Sequence, residues 1–398
     1  MKQKHMRWWQ RILLILAGTL LGLVMIVVLL SLMPQLMMQN AAQSRSQGNT
    51  TMDVEFRHTL GNLFDALPGR IRPPAEDTVL ARFTIAWDAD GFRVPAQTAD
   101  IYPIAAFGDS FTEGTLVPVP WADRLAEVLN VPVQNYGYRS YGPLEIQETV
   151  HEFVGKSPRQ WVLYAFFAGN EMSDANRTTR LEERSPLYTI PQLAQEVGND
   201  MSTRVASQQQ EHYDFPMPVI IGGNYYEMAF LMYYLWGQRP PAEGFAASRT
   251  YQVFEAALDA IQADAGDACL GLIFVPTKEQ LYYPYIIPSE RQWLRQNAYQ
   301  QMIDDSGLLQ IIPQPLSADD EARFMAEDMQ GLHHAVAATM QNRPDWHFID
   351  LLPLFEEHVA LGELLYYPYD THWNQAGHDL AAQAIADSLQ QVPTCLTA

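Results

Sequence analysis

Four short clusters of this chain hold the residue types from which an acyl-transfer centre is built. The first is Phe107-Gly108-Asp109-Ser110-Phe111-Thr112-Glu113-Gly114, which follows an apolar run at 101–107 and precedes a helix-like segment at 120–129. A serine at that place presents its hydroxyl to the crevice beyond the carboxyl ends of a parallel sheet, where open α/β folds bind ligands. The first amides after the strand are donors for an oxyanion. A hydroxyl needs a base to take its proton, and the candidate is His372 in Tyr369-Asp370-Thr371-His372-Trp373-Asn374. A carboxylate two residues earlier, Asp370, can orient that imidazole and stabilise its protonated form.

Two further clusters offer donors. Asn135-Tyr-Gly-Tyr-Arg-Ser140-Tyr-Gly142 has two glycines within six residues, which permits turns that leave an N–H free for a ligand. A loop that merely needs flexible residues explains it equally well. Phe166-Phe-Ala-Gly-Asn170-Glu171 sets an amide just past an apolar run, where it is a neutral donor for developing negative charge. Asparagine also caps helices, so this cluster alone has an ordinary explanation.

Such residues act together only where a fold brings strand ends together. Short apolar runs at 102–107, 131–136, 160–167, 269–275 and 346–350 read as strands. Segments at 120–129, 143–155, 251–264, 318–340 and 375–390 read as helices between or after them. Nearly continuous apolar strands alternating with helices predict a parallel sheet covered on both faces, a three-layer α/β/α fold. All four clusters then fall at strand ends on one rim. Phe83–Val94, with Asp90-Gly91 at its centre, carries a hairpin signal and predicts a small ribbon leading into the sheet.

As a set, the four clusters resemble the SGNH (GDSL-type) hydrolase family, whose serine, glycine, asparagine and histidine blocks occur in this chain order. The resemblance spans about residues 100–390. It implies a flavodoxin-like sheet, no metal or other cofactor, Ser110 as nucleophile, Asp370 and His372 as its partners, and Ser140 and Asn170 at the oxyanion hole. Three positions depart from the pattern: Ser140 stands where the family has glycine, Glu171 where it has aspartate, and Asp-x-His replaces Asp-x-x-His. The shorter histidine block, followed by Trp373 and Asn374, is similar to that of the SGNH-like alginate O-acetyltransferases, which brings acyl transfer to polysaccharide into view.

The other candidates have ordinary explanations. His378 is expected to cap or pack, Asp109 to shape the serine turn, and His333 and His334 to face solvent. Lys278 reads as either a crevice-facing or, more simply, a surface lysine. Tyr282, Tyr283, Tyr285, Tyr366, Tyr367 and Trp373 are suited to stack on sugar rings or to pack loops. The pentapeptide Leu-Tyr-Tyr-Pro-Tyr occurs at 281–285 and again at 365–369.

The amino-terminal end frames where this chemistry takes place. Ile12 to Met33 is uncharged over 22 residues, about 33 Å of helix, enough to span a bilayer core. Lys2, Lys4, Arg7 and Arg11 precede it without an acid, which predicts a cytoplasmic residue 1–11 segment. The expectation is a single-pass anchor at 12–33, a linker and irregular lead-in at 34–82, and a hydrolase-like domain at 83–398 in the periplasm or outside the cell. Insertions near 171–250 and 281–316 exceed the minimal fold. The net charge of −21 becomes about −25 once the four leading cations are set aside, which disfavours nucleic acid as a partner. Cys269 and Cys395 are the only cysteines, and their spacing does not decide whether they pair. Two cysteines without a histidine cluster make no zinc site. The function expected is an esterase that frees an acyl group, acetyl first among candidates, from a carbohydrate. An O-acetyltransferase and a catalytically silent scaffold of polysaccharide export are the alternatives.

Overall fold

Five apolar runs pair side by side into one parallel sheet in a computed structural model of the chain. The structure describes residues 8–9, 14–26, 29, 45–57, 79–155, 159–175, 217–241, 243–296, 299–303, 309–313 and 315–395. In chain order its strands are β1 (Thr50–Arg57), β2 (Val79–Trp87), β3 (Ile104–Gly108), β4 (Val133–Gly137), β5 (Trp161–Phe167), β6 (Met217–Ile221), β7 (Asn224–Met228), β8 (Cys269–Val275), β9 (Tyr299–Ile303), β10 (Leu309–Pro313) and β11 (Trp346–Asp350).

The central sheet runs β4-β3-β5-β8-β11, all parallel. Numbered within the sheet this is the order 2-1-3-4-5, the flavodoxin-like order, whose switch point lies between β3 and β5. Every residue of β3 and β5 is buried, which is why these segments read as unbroken apolar runs rather than alternating ones. Helices α1 (Ser110–Glu113), α2 (Trp121–Leu129), α3 (Pro143–Phe153), α4 (Arg249–Ala265), α5 (Lys278–Tyr282), α6 (Gly331–Gln341) and α7 (Gln375–Gln390) follow or join the strands. On the two faces of the sheet, α2 packs with α7 and α3 with α4, giving the three layers.

Several expected elements take other forms. The ribbon pairs β2 with β1, Thr50 opposite Trp87, so its second strand comes from the stretch read as linker and lead-in. The Asp90-Gly91 turn closes only one bridge, Trp87 to Arg93. The helix expected over 318–340 is broken into Ala318–Arg323, a π turn at Phe324–Asp328, and α6. Gly331 sits at that break because a Cβ there would lie 2.8 Å from the Gln238 carbonyl oxygen. The insertion near 171–250 is described at 171–175, 217–241 and 243–250, and β6 and β7 within it form a hairpin; residues 176–216 lie outside the described residues. In the insertion near 281–316, β9 and β10 form another hairpin.

The span expected at 12–33 is described at 14–26 and 29, where it is helical. Among the described residues no helix is long and apolar enough to cross a membrane. Cys269 and Cys395, left open by their spacing, form a disulfide with their Cα atoms 6.0 Å apart. It joins the start of β8 to the segment beyond α7.

Candidate active site

Gly108 ends β3 and hands the chain to α1, with Asp109 at the cap. A Cβ on Gly108 would collide with the Thr112 hydroxyl, so only glycine lets the strand turn this tightly into a helix. The Asp109 carboxylate accepts from the Phe111 amide at 2.9 Å, fixing the first turn and Ser110 within it. The second cluster closes on the same helix. The Tyr138 amide donates to the Gly108 carbonyl at 3.0 Å. The Asn135 side chain donates to the Thr112 carbonyl at 2.7 Å. A Cβ on Gly137 would lie 2.5 Å from Thr112 Cβ, so that glycine permits close approach.

His372 arrives from 262 positions away. Its Nε2 lies 2.7 Å from Ser110 Oγ, and its Nδ1 lies 2.7 Å from Asp370 Oδ1. The same Oδ1 accepts from the His372 amide at 2.8 Å, so the Asp-x-His spacing folds into a turn that binds ring and backbone to one carboxylate oxygen. Burial pushes the Asp370 carboxyl up. The positive charge of His372, its two hydrogen bonds and the charge of Lys278 outweigh that and hold Asp370 below the usual carboxylate range. Ionised Asp370 on Nδ1 leaves Nε2 to face the serine, the tautomer a general base needs. His372 and Asp370 keep 19% and 22% of their side-chain exposure, so the pair is sheltered yet reachable.

Asn170 stands beside the Ser110 turn. Its amide donates to Asp109 Oδ2 at 3.1 Å, which spends one N–H and holds the plane of the group, leaving a second N–H on the same nitrogen. Ser140 is exposed at φ +64°, a left-handed backbone that glycine adopts without cost. This accounts for the position: the turn demands that conformation, and serine adopts it here. The turn is tied down one residue earlier. Arg139 donates its amide to Glu113 Oε2 at 2.9 Å and its guanidinium to both Glu113 oxygens at 3.0 and 2.5 Å. Glu113 is buried in α1, so the Ser140 turn is clamped to the helix that begins with Ser110.

Behind the site lies a buried acidic layer. Burial pushes the Asp109 carboxyl up to about 6, against the lowering pull of the Phe111 amide, the His372 charge and the Asn170 amide. Burial, then the charges of Asp109 and Asp174, push Glu171 well above the usual range. The Tyr164 hydroxyl lies beside Glu171, but neither Glu171 oxygen completes a well-aligned hydrogen bond.

Some expectations are corrected by burial. Tyr282, Tyr283, Tyr366 and Trp373 are fully covered, so they pack rather than offer a sugar platform. The two pentapeptides face each other: the Leu365 amide donates to the Tyr282 hydroxyl at 3.0 Å, and the Tyr282 and Tyr366 rings meet edge to face, centres 6.2 Å apart. His333 does not face solvent; it lies against Phe274 and its Nε2 is 2.8 Å from Asp350 Oδ2. His378 caps as expected, its Nδ1 accepting from the Trp121 amide at 3.1 Å, with burial, then the charges of Arg93 and His372, lowering it to about 3. Lys278 is not on the surface but fully buried, its Nζ 2.9 Å from the Asp370 carbonyl. Arg93, also missed, donates to the carbonyls of Gly114 and Pro118 at 2.5 and 2.7 Å and secures the loop after α1. The opposite charges of Glu113 and Arg139, each inside a candidate cluster, were the one available signal for their pairing.

Residues 310–398 match the family model described as the SGNH hydrolase-like domain of acetyltransferase AlgX. No curated protein sequence matches the chain. Among solved structures, a lipolytic protein of the G-D-S-L family from Veillonella parvula aligns at 13% identity, over 72% of this chain and 98% of its own, with a TM-score of 0.34. A carbohydrate esterase family 2 enzyme with a carbohydrate-binding domain, from Corynascus thermopiles (Myceliophthora fergusii), aligns at 11% identity. It covers 80% of this chain and 72% of its own, with a TM-score of 0.34. Residues 310–398, which include Asp370 and His372, are thus similar to the SGNH hydrolase-like domain of the AlgX acetyltransferases.

Proposed function

We propose that the chain is a serine esterase that removes an acyl group, acetyl in the first instance, from a carbohydrate. The observation that carries this is the continuous line from Asp370 through His372 to Ser110, closed at 2.7 Å on each side of the ring. Ser110 Oγ attacks the ester carbonyl carbon as His372 Nε2 takes its proton. The carbonyl oxygen, now negative, is held by amides near Ser110 and Ser140 and by the second N–H of Asn170. His372 then returns the proton to the leaving alcohol oxygen as its bond to carbon breaks, leaving an acyl-serine. Water repeats the sequence and frees the acid. A scaffold without catalysis has no use for so aligned a trio, which favours an enzyme.

A second reading has an observation of its own. The match of 310–398 is to an acetyltransferase family, and in a transferase a sugar hydroxyl takes the place of water in the second step. Product analysis with p-nitrophenyl acetate, with and without an oligosaccharide acceptor, separates the two. Free acetate at a rate indifferent to acceptor supports the esterase; sugar acetylation faster than hydrolysis replaces it with the transferase.

The same proposal places the domain outside the cytoplasm on an amino-terminal membrane anchor. Residues 14–26 are helical with Leu14, Ile15, Leu16, Leu20, Leu21 and Leu23 exposed, a surface suited to lipid. A disulfide is at home in an oxidising compartment. Carbonate extraction of membranes tests the anchor: release of the intact chain into the supernatant would remove it.

A further inference from the structure

The charge nearest the back of the Asp370–His372 turn is a lysine that no motif predicts. Lys278 is the first residue of α5, which follows β8 after Pro276 and the cap Thr277. Its side chain is fully buried, and a buried ammonium is costly unless its protons and its charge are both answered. The protons go to the carbonyls of Asp370 at 2.9 Å and Pro368 at 3.4 Å. The charge is answered by the Asp370 carboxylate and by the face of Phe230, whose ring centre is 5.6 Å away. The same loop is gripped from another side, where the Ala229 amide donates to the Pro368 carbonyl at 2.8 Å.

We propose that Lys278 is a positioning residue of the acyl-transfer centre: its buried ammonium pins the Asp370–His372 turn by two carbonyls and sets a positive charge behind the Asp370 carboxylate. The inference rests on the reading of Ser110, His372 and Asp370 as that centre. Other charged or titratable groups act on the pair from the elements packed against it: Asp109 from the serine turn and His378 from α7 on His372, and Tyr367 from the turn itself on Asp370. The charges of Asp109 and Asp370 favour a proton on His372, and the positive charge of Lys278, set behind Asp370, acts against both.

The test is the pH dependence of Ser110 labelling by a fluorophosphonate in the full-length protein. His372 must be unprotonated to react, so the acid limb reports its proton affinity. Lys278→Gln keeps a donor for the carbonyls and removes the charge; Lys278→Arg keeps the charge; Lys278→Met removes both. The acid-limb midpoint should move to higher pH by about one unit in Lys278→Gln and Lys278→Met, and hold in Lys278→Arg. Lys278→Met should also lower the plateau rate. A Lys278→Gln midpoint equal to wild type overturns the proposal. Reaction of wild-type lysines with N-hydroxysuccinimidyl acetate, read by mass spectrometry, requires no variant. Lys278 should react at least about 100-fold more slowly in the native than in the urea-unfolded chain, the mark of a covered ammonium; equal rates overturn the proposal. Wild-type protein that never labels at Ser110 refutes the acyl-transfer reading, and the lysine rates still decide where Lys278 lies.

Discussion

Removing the disulfide should separate stability from catalysis in this chain. Cys269 opens β8 at the amino-terminal edge of the sheet, and the candidate site sits past its carboxyl edge. Seven residues of strand, roughly 20 Å at ~3.3 Å per residue, lie between them. The bond closes a loop of 126 residues. Loop-closure entropy alone assigns a loop of that length about 5 kcal/mol, and measured disulfides commonly give roughly 2–4 kcal/mol. Against a typical total of about 5–15 kcal/mol, this is a large share. The double variant Cys269→Ala/Cys395→Ala should therefore unfold at markedly lower urea, losing about 2–5 kcal/mol by tryptophan fluorescence. Its rate of Ser110 labelling at 25 °C, measured on the folded fraction, should stay within about twofold of wild type, because no site residue shifts. A variant as stable as the oxidised wild type would refute the loop-entropy argument. One that stays folded but loses labelling would refute the claim that the bond and the site are independent.

Three further outcomes follow from the geometry. Asp370→Asn keeps the shape but favours the wrong tautomer of His372, and should slow acyl-serine formation by roughly 10³–10⁴-fold in stopped-flow burst kinetics; a loss under tenfold would place the orienting group elsewhere. Asn170→Ala should lower turnover by roughly 10²–10³-fold with little change in KM, as expected for a donor used in the transition state. Glu171 is held above its unfolded value, so the native state binds its proton more tightly. Its cost is absent below the unfolded pKa and grows as pH rises through the folded one. Glu171→Gln, which mimics the neutral acid, should therefore lose less melting temperature than wild type between pH 5 and pH 8; parallel slopes would contradict the burial argument.

The sheet was legible in the sequence because four of its five strands are buried almost throughout. The 269–275 and 346–350 runs are strands over the same residues in the structure, and the helix at 375–390 likewise. Ser110 was legible from its place just past the end of β3, but His372 is not at a strand end: it lies beyond β11 and the helix Leu352–Ala360, in the turn before α7, and nothing local signals that the two, 262 positions apart, close to 2.7 Å. What escaped depends on tertiary contact. Thr50–Arg57 alternates polar and apolar residues in a stretch whose overall polarity reads as linker, and only pairing with Val79–Trp87 reveals it as strand. Lys278 reads as surface because lysine usually is; its burial requires carbonyls supplied by a loop 90 positions away. Tyr282 and Tyr366 look like exposed aromatics until they bury each other. The helix over 318–340 breaks where Gly331 meets the Gln238 carbonyl, a contact that no local pattern encodes.

Ser110 as the nucleophile and His372 as the group that activates it are the heart of the proposed reaction. Intact-protein and peptide mass spectrometry after reaction with a fluorophosphonate reads this directly. One adduct should form, localise to Ser110, and be lost in Ser110→Ala and slowed by at least about 10³-fold in His372→Ala while the fold, by circular dichroism, is unchanged. An adduct on another residue, or undiminished labelling of Ser110 without His372, would contradict it.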